Sequence, residues 1–321
     1  MTTEKLIINR LKRTAHHPAA RGLLDDVALL DGLVITHDSI AEGVHYLPED
    51  PPQSVGWKLM AVNLSDLAAK GAAPVGALLS LSLSGDSDWE EHFLDGIEAA
   101  AEQFEMPLIG GDTIALPAGA PRVLGLTAIG RAGSATPGRD GAKVGDGLWL
   151  VGTVGDSAAG LAILQQDATA AGLLVDAYRR PIPLLALGRK IAPHAHAMMD
   201  VSDGLLLDAS RMADASKCGV EIDLAAVPLS AAFVAERGGG LEARSFACTG
   251  GDDYALLAAL PPELDPFMLS LPSGTTMARV GTFTSAHAGL ALRFGDREVP
   301  LPESLGHEHR GHIASPMGDR P

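Results

Sequence analysis

Aspartates at the ends of apolar segments are the feature of this chain that most directly suggests chemistry. Six such segments each deliver one or two: Asp26, Asp38, Asp66, Asp112, the pair Asp200 and Asp203, and Asp252. Singly, each serves equally well as a helix cap or a turn former. As a set they point elsewhere, because capping gives no reason for so many apolar runs to end on one residue type. Carboxylates gathered within about 5 Å raise one another's pKa. Divalent cations remove that conflict, and the hard ion Mg2+ prefers oxygen ligands of this kind. Mg2+ held by aspartates draws phosphates, so phosphoryl or nucleotidyl transfer, which rests on positioning and charge neutralisation, is the reaction class implied.

The stretch LVITHDSIAEGVH, residues 33–45, shows how such groups are positioned. Leu33, Val34 and Ile35 form a short buried strand. It stops on Thr36, His37 and Asp38, which can hold a cation or a phosphate. A polar turn follows, carrying Glu42, Gly43 and His45, the last a candidate substrate contact. Further strands are expected at residues 77–83, 106–109, 123–130, 148–151, 197–199, 220–224, 279–283 and 290–294. The one at 106–109 ends in Gly110, Gly111 and Asp112, and the one at 197–199 runs into Asp200, Ser202 and Asp203. From Ser54 the period becomes helical, with Trp57, Met60, Ala61, Leu64, Leu67 and Ala68 on one stripe, Asp66 within NLSDLAAKGA, and Gly71 as the stop signal. Helices are also expected at residues 4–13 and 89–104 and from Leu205. The Gly-rich GTVGDSAAG opens a small-residue helix, and both a bound phosphate and close helix–strand packing account for it. AGSATPGRDGAKVGDG, residues 132–147, is rich in Gly, Pro and charge and marks a domain boundary.

Composition narrows the class. A chain of 321 residues suggests two domains. Hydrophobic residues make up 46% and aromatics only 4%, so the cores are built from Ala, Leu, Val and Ile. With 24 Lys and Arg against 40 Asp and Glu, the net charge of −16 argues against nucleic acid or an anionic membrane as partner. Cys218 and Cys248 form no CxxC pair and read as structural thiols of a reducing, cytoplasmic protein. No apolar run approaches the ~20 residues of a membrane helix, and MTTEKLIINRLKR lacks the apolar core of a signal peptide. GxxxxGK[ST], a GxGxxG after a strand, HRD and DFG are absent, as is a GxSxG elbow. Transfer without a covalent enzyme intermediate fits best. In the His- and Pro-rich tail, His307, His309 and His312 read as solvated residues rather than a transition-metal site.

The segments LDDVALL, ITHDSIAEGVHY, GWKLMAVNLSDLAAKGA, LIGGDT, RDGAKVGDGLWLVGTVGDSAAGLAIL, MDVSDGLLLD and TGGDDYAL together resemble, in this order, the thiamine-monophosphate kinase family of the aminoimidazole ribonucleotide synthetase-like superfamily. The resemblance covers residues 23–257. It implies direct transfer of the ATP γ-phosphoryl to thiamine monophosphate, giving thiamine diphosphate, the last step of its biosynthesis. It also implies a two-domain α/β (α+β) synthetase-like fold of mixed sheets flanked by helices. Residues 1–134 are then an N-terminal ATP- and metal-binding and dimerisation domain, and residues 135–321 a C-terminal α/β domain, with the N-terminal sheet pairing across a homodimer. By position, several Mg2+ ions fall on Asp26, Thr36, His37, Asp38, Asp66, Asp112, Asp200 and Asp203. Nucleotide contacts fall on Gly111, Asp112, Arg139 and Ser202, substrate contacts on His45, Asp252 and His307, and catalysis on Asp66, Asp112 and Asp203.

The chain departs from the family pattern at four positions. His37 stands where Thr is usual, and an imidazole that coordinates would favour Mn2+ over Mg2+. GGDD replaces GGED, shortening the acid at Asp252 by one methylene. His307 falls, with poor alignment, where a stacking aromatic is expected. Lys70 replaces a common Met and is expected at the surface. Two other readings remain: the same fold acting on a different acceptor, told apart at His45, Asp252 and the tail, and a non-catalytic nucleotide-binding protein. The second would have lost metal aspartates, and this chain retains them all.

Overall fold

The computed structural model describes residues 3–265, 269–285, 287 and 289–307; the reading of His309 and His312 lies outside them. In chain order, α1 (Thr3–Leu11) leads to β1 (Ala28–Leu30), β2 (Leu33–Ala41), α2 (Pro52–Ala69), β3 (Ala73–Leu83), α3 (Ser87–Gln103), β4 (Leu108–Ala115) and β5 (Val123–Arg131). The second half comprises β6 (Gly147–Val151), α4 (Asp156–Leu164), α5 (Leu173–Arg179), α6 (Leu185–Ile191), β7 (Ala197–Val201), α7 (Leu205–Ala215), β8 (Gly219–Asp223), α8 (Ala231–Arg237), α9 (Leu241–Thr249), β9 (Ala255–Leu260), β10 (Met277–Thr284), β11 (Leu290–Phe294) and β12 (Arg297–Val299). Strands of the first half form one sheet in the order β1-β2-β5-β3-β4, and those of the second form another in the order β12-β11-β8-β10-β6-β9-β7. Both are mixed: β3 runs parallel to β4 and β11 parallel to β8, with the other pairs antiparallel. The expected architecture of two mixed sheets flanked by helices is thus present.

The helix α2 binds the halves together. Every residue from Ser54 to Ala69 is buried, because the first sheet and α3 cover one side while β7 and α6 cover the other. Close approach to α3 requires glycine: a Cβ on Gly96 would lie 2.0 Å from the carbonyl oxygen of Gln53. The helix ends in a Schellman closure, with Gly71 at φ +62, its N–H donating to Ala68 and the N–H of Ala72 donating to Leu67. Ala68 and Ala69 then pack with Val151, Met198, Leu256 and Ala258 in a core between the halves. Alternate residues of β9, Leu257 and Ala259, face the main core of the second half instead. Both faces of β9 are therefore covered, which is why it reads as a continuous apolar run.

Several strands outrun the sequence expectation, among them β3, which begins at Ala73, and the two that bear on the site, β2 and β4. β2 continues through Asp38 to Ala41, because its pairing with β5 is unbroken to Ala41 opposite Val123. β4 begins at Leu108 and carries Gly110, Gly111 and Asp112 inside the strand, held by the parallel ladder with β3. Among the described residues, no helix is long and apolar enough to cross a membrane.

Candidate active site

A cavity of about 900 Å³ opens between the two halves, and its wall includes Asp26, Asp38, His45, Asp66, Arg139, Asp200, Ser202, Asp203, Asp252 and His307. The alternation of β2 explains part of this: Val34, Thr36 and Ile40 are buried under the strand, while His37 and Ser39 are exposed on its other side. Asp66 comes from the buried helix α2, Asp200 from the buried strand β7, and Asp26 from the turn before β1. Carboxylate oxygens of Asp26, Asp66 and Asp200 all lie within 4.8 Å of one another. Neighbouring side chains fix them. The Thr36 hydroxyl bonds Asp66, Ser65 Oγ donates to Asp200 at 2.6 Å, and the Asn63 side-chain oxygen accepts the Asp38 N–H at 2.9 Å.

Burial, with the charges of Asp38 and Asp200, pushes the Asp66 carboxyl well above the usual range. Burial likewise pushes Asp200 up to about 7, against the pull of the Ser65 hydroxyl, with Asp208 and Asp38 adding to the rise. Asp208, six residues beyond Ser202 and five beyond Asp203, accepts their N–H groups at 3.1 and 3.0 Å and binds Arg211 at 3.0 Å. Burial and then Asp203 raise it to about 6. Carboxylates this close, with Asp38 and Asp200 disfavouring the charge on Asp66, fit a divalent cation, and Asp26 Oδ2 is buried without a hydrogen bond, 3.4 Å from the Lys70 ammonium. An all-oxygen donor set of this kind suits Mg2+. Arg139 closes one side by pairing with Asp26, and burial lowers its pKa.

The opposite end of the cavity is built on Lys58. Its ammonium donates to Asp252 Oδ2 at 2.7 Å and to the carbonyl of His45 at 2.9 Å, and lies 4.0 Å from the centre of the Tyr178 ring. Tyr254 OH donates to the other oxygen of Asp252 at 2.9 Å, and His45 Nδ1 accepts the Ala41 N–H at 3.0 Å. Lys58, Val62 and Asp66 line the cavity from one stripe of α2, each four residues and about 6 Å from the next. The adjacent Asp253 turns away: it accepts the Gly155 N–H at 2.9 and 3.0 Å, capping α4. The turn of GTVGDSAAG is therefore occupied by a carboxylate of the chain itself. A Cβ on Gly155 would meet Ala247 at 2.5 Å, so close packing is the account of that motif which the structure supports.

Residues 24–132 match the model of the AIR synthase related protein N-terminal domain, and residues 143–289 that of the corresponding C-terminal domain. Thiamine-monophosphate kinase of Escherichia coli strain K12 is 37% identical over 311 residues, 92% of each chain. The Caulobacter vibrioides enzyme of the same name is 38% identical over 318 residues, 94% of this chain and 89% of that one. The chain belongs to the thiamine-monophosphate kinase family. Its fold agrees with that of AaThiL complexed with AMPPCP and TMP, at TM-score 0.81 and 30% identity, covering 96% of this chain and 99% of the other.

Against that family pattern, the structure places several residues differently from their sequence reading. Asp112 is opposite Ser80 on β3, Ser80 opposite Gly125 on β5, and Gly125 opposite Ser39 on β2. This row lies on the outer face of the sheet, which turns Asp112 away from Asp38; Gly111, in the next row with Leu79, Leu126 and Asp38, stands three strands from Asp38, and neither residue lines the cavity. The His37 imidazole is on that outer face too, 2.9 Å from Thr127 Oγ1 and 3.3 Å from Ser39 Oγ, because strand alternation reverses it relative to Thr36 and Asp38. Lys70, expected at the surface, is fully buried. The end of α2 on which it sits is enclosed by the second half, a tertiary arrangement without a local signal. His307 does reach the cavity, and its N–H donates to the carbonyl of Asp203 at 2.8 Å. Lys58, Asp208, Arg211, Tyr178 and Tyr254 were not foreseen. Lys58 had one available signal: with Asp66 and Lys70 it repeats charge every four or eight residues along an otherwise apolar helix.

Proposed function

We propose that this chain phosphorylates thiamine monophosphate to thiamine diphosphate with ATP, by direct in-line transfer at an aspartate-bound Mg2+ cluster in the cytoplasm. The observation that carries the reading is the single stripe of α2 that ends in Asp66 among the converging carboxylates and begins with Lys58 at Asp252 and His45. Metal and phosphate chemistry at one end, and an organic acceptor at the other, are thereby set about 12 Å apart along one rigid helix. The family relatives named for this reaction, and AaThiL with AMPPCP and TMP, support the substrate assignment.

Asp26, Asp66 and Asp200 would hold Mg2+, with Thr36, Asp38 and Asp203 beside them. Bound Mg2+ supplies neutralisation of the carboxylates and of the phosphate oxygens. Arg139 and Ser202 contact the nucleotide. Asp252, held by Lys58 and Tyr254, meets the cationic half of the acceptor together with His45 and His307. The buried thiols Cys218 and Cys248 line no part of the cavity, in keeping with transfer that has no covalent enzyme intermediate.

Gly111 and Asp112 enter this scheme through a second copy of the chain. Residues 1–134 form the dimerisation domain in the proposal, and 135–321 the second domain. The outer face of the first sheet exposes Leu78, Ile109, Ile114 and Val123, an apolar surface suited to pairing with its counterpart. Incubation of the purified protein with ATP, MgCl2 and thiamine monophosphate tests the reading. Thiamine diphosphate above the protein-free control is the expected result, and its absence with ATP binding intact would overturn the assignment.

A further inference from the structure

Lys70 is the part of the acid cluster for which the proposed reaction has no use. Three oxygens surround its ammonium: Asp25 Oδ1 at 2.6 Å, the carbonyl of Met198 at 2.9 Å and Asp26 Oδ2 at 3.4 Å. An ammonium has three donors, and three oxygens from two separate segments face it, as they would face a bound cation. The geometry follows from the end of α2. Lys70 is the cap residue of that helix, and the Schellman closure around Gly71 fixes its backbone between the two halves, so the side chain cannot extend to water. Arg21 Nε lies 3.0 Å from Asp25, and Arg139 pairs with Asp26. Asp25 and Asp26 thus meet three fixed cations, Arg21, Arg139 and Lys70. Without Lys70 two would remain.

The influence of Lys70 extends to the rest of the cluster. Burial and neighbouring acids push the carboxyls of Asp66 and Asp200 up, and the Lys70 charge opposes that rise at both. A hydrophobic side chain at this position would fill the space and leave Asp25 with Arg21 alone and Asp26 with Arg139 alone as counter-charges.

We propose that the Lys70 ammonium is a covalently tethered cation of the acid cluster, which holds Asp25 and Asp26 in place before any metal binds and weakens the demand of the cluster for divalent cations. The proposal rests on the reading of Asp26, Asp66 and Asp200 as a divalent-cation centre. It makes Lys70 a positioning residue, acting through the carboxylates it holds.

Two readouts independent of turnover test it. Binding of Mn2+ to the nucleotide-free protein is measured from the electron paramagnetic resonance signal of free Mn2+, and thermal melting is recorded in EDTA and in MgCl2. Lys70→Met is expected to bind Mn2+ about tenfold tighter or more than the wild type, because one positive charge beside the site is gone. The same variant is expected to melt lower in EDTA and to recover in MgCl2, as the divalent ion replaces the ammonium. The double variant Asp25→Asn with Lys70→Met removes both charges together and is expected to return Mn2+ affinity to within about threefold of wild type. Equal Mn2+ affinity in wild type and Lys70→Met would overturn the tethered-cation proposal alone. Absence of Mn2+ binding in both would overturn it along with the metal-centre reading. If Lys70→Met fails to fold but the double variant folds, charge balance is the cause and the proposal stands; if neither folds, Lys70 serves packing and the proposal fails.

Discussion

Ser65 on α2 donates its hydroxyl hydrogen to Asp200 on β7 over 2.6 Å, across 135 residues of sequence. That bond joins the two halves at the point where the acids converge. It also opposes the burial that lifts Asp200 to about 7, so it makes the carboxylate more available at neutral pH. A structural contact and a tuning of charge are here one interaction.

The pH dependence of stability should show this. Unfolded, the Asp200 carboxyl titrates near its ordinary 3.8, whereas folded it holds its proton to about 7. Over that window the folded chain binds the extra proton, so its contribution to stability is greatest at low pH and falls as pH rises from 3.8 to about 7. Asp208, raised to about 6, acts in the same direction. Melting temperature in EDTA is therefore expected to carry a falling component across this range. Asp200→Asn should lessen it, and Ser65→Ala should extend it to higher pH. A slope unaltered in Asp200→Asn would place the titration elsewhere.

Asp66→Asn separates stability from function. The amide replaces a buried carboxyl that burial, Asp38 and Asp200 disfavour as an anion. Melting in EDTA is expected at the wild-type temperature or above, while turnover falls by about a thousandfold or more through loss of a shared metal ligand. Near-normal turnover would show that these aspartates do not act as one cluster.

Lys58→Met tests the acceptor end. Asp252 keeps the Tyr254 hydroxyl but loses its cation at 2.7 Å. Steady-state kinetics are expected to show KM for thiamine monophosphate raised by about tenfold or more, with KM for ATP changed by less than about twofold, since the ends of the stripe are well separated. An equal rise for both substrates would argue against the division of the cavity into two ends.

His37→Thr is expected to leave the ratio of Mn2+- to Mg2+-supported activity unchanged. Its imidazole is engaged with Thr127 and Ser39 on the exposed side of β2, away from the carboxylates. A ratio that drops in the variant would mean that the imidazole reaches the metal.

Ile114→Glu places a charge on the apolar outer face of the first sheet, where Ile114 is 55% exposed. Analytical ultracentrifugation is expected to show a dimer for wild type and a monomer for the variant, with activity lost in parallel because Asp112 no longer reaches a neighbouring cavity. A fully active monomer would remove Gly111 and Asp112 from the catalytic scheme.

Much of this molecule was legible locally. The strand around Val34 and Ile35, the helix carrying Asp66, its stop at Gly71 and the irregular link before Gly147 follow from side-chain periodicity and from the backbone freedom of Gly and Pro. The ends of β2 and β4 were not legible, because a ladder with β5 or β3 prolongs a strand past polar residues and glycine as long as partners continue. The same extension decided where Asp112 points.

Residue type and spacing alone pointed to phosphate chemistry on gathered aspartates, since the preference of carboxylates for hard cations is local. Only the tertiary structure decided which of them meet. Asp26, Asp66 and Asp200 converge because α2 is wedged between two sheets, whereas Asp112 is carried to the outer face by a register three strands away. Lys70 was turned from an expected surface residue into a fully buried charge for the same reason: the burial of a helix end depends on what packs over it, and that covering comes from residues more than a hundred positions further along the chain.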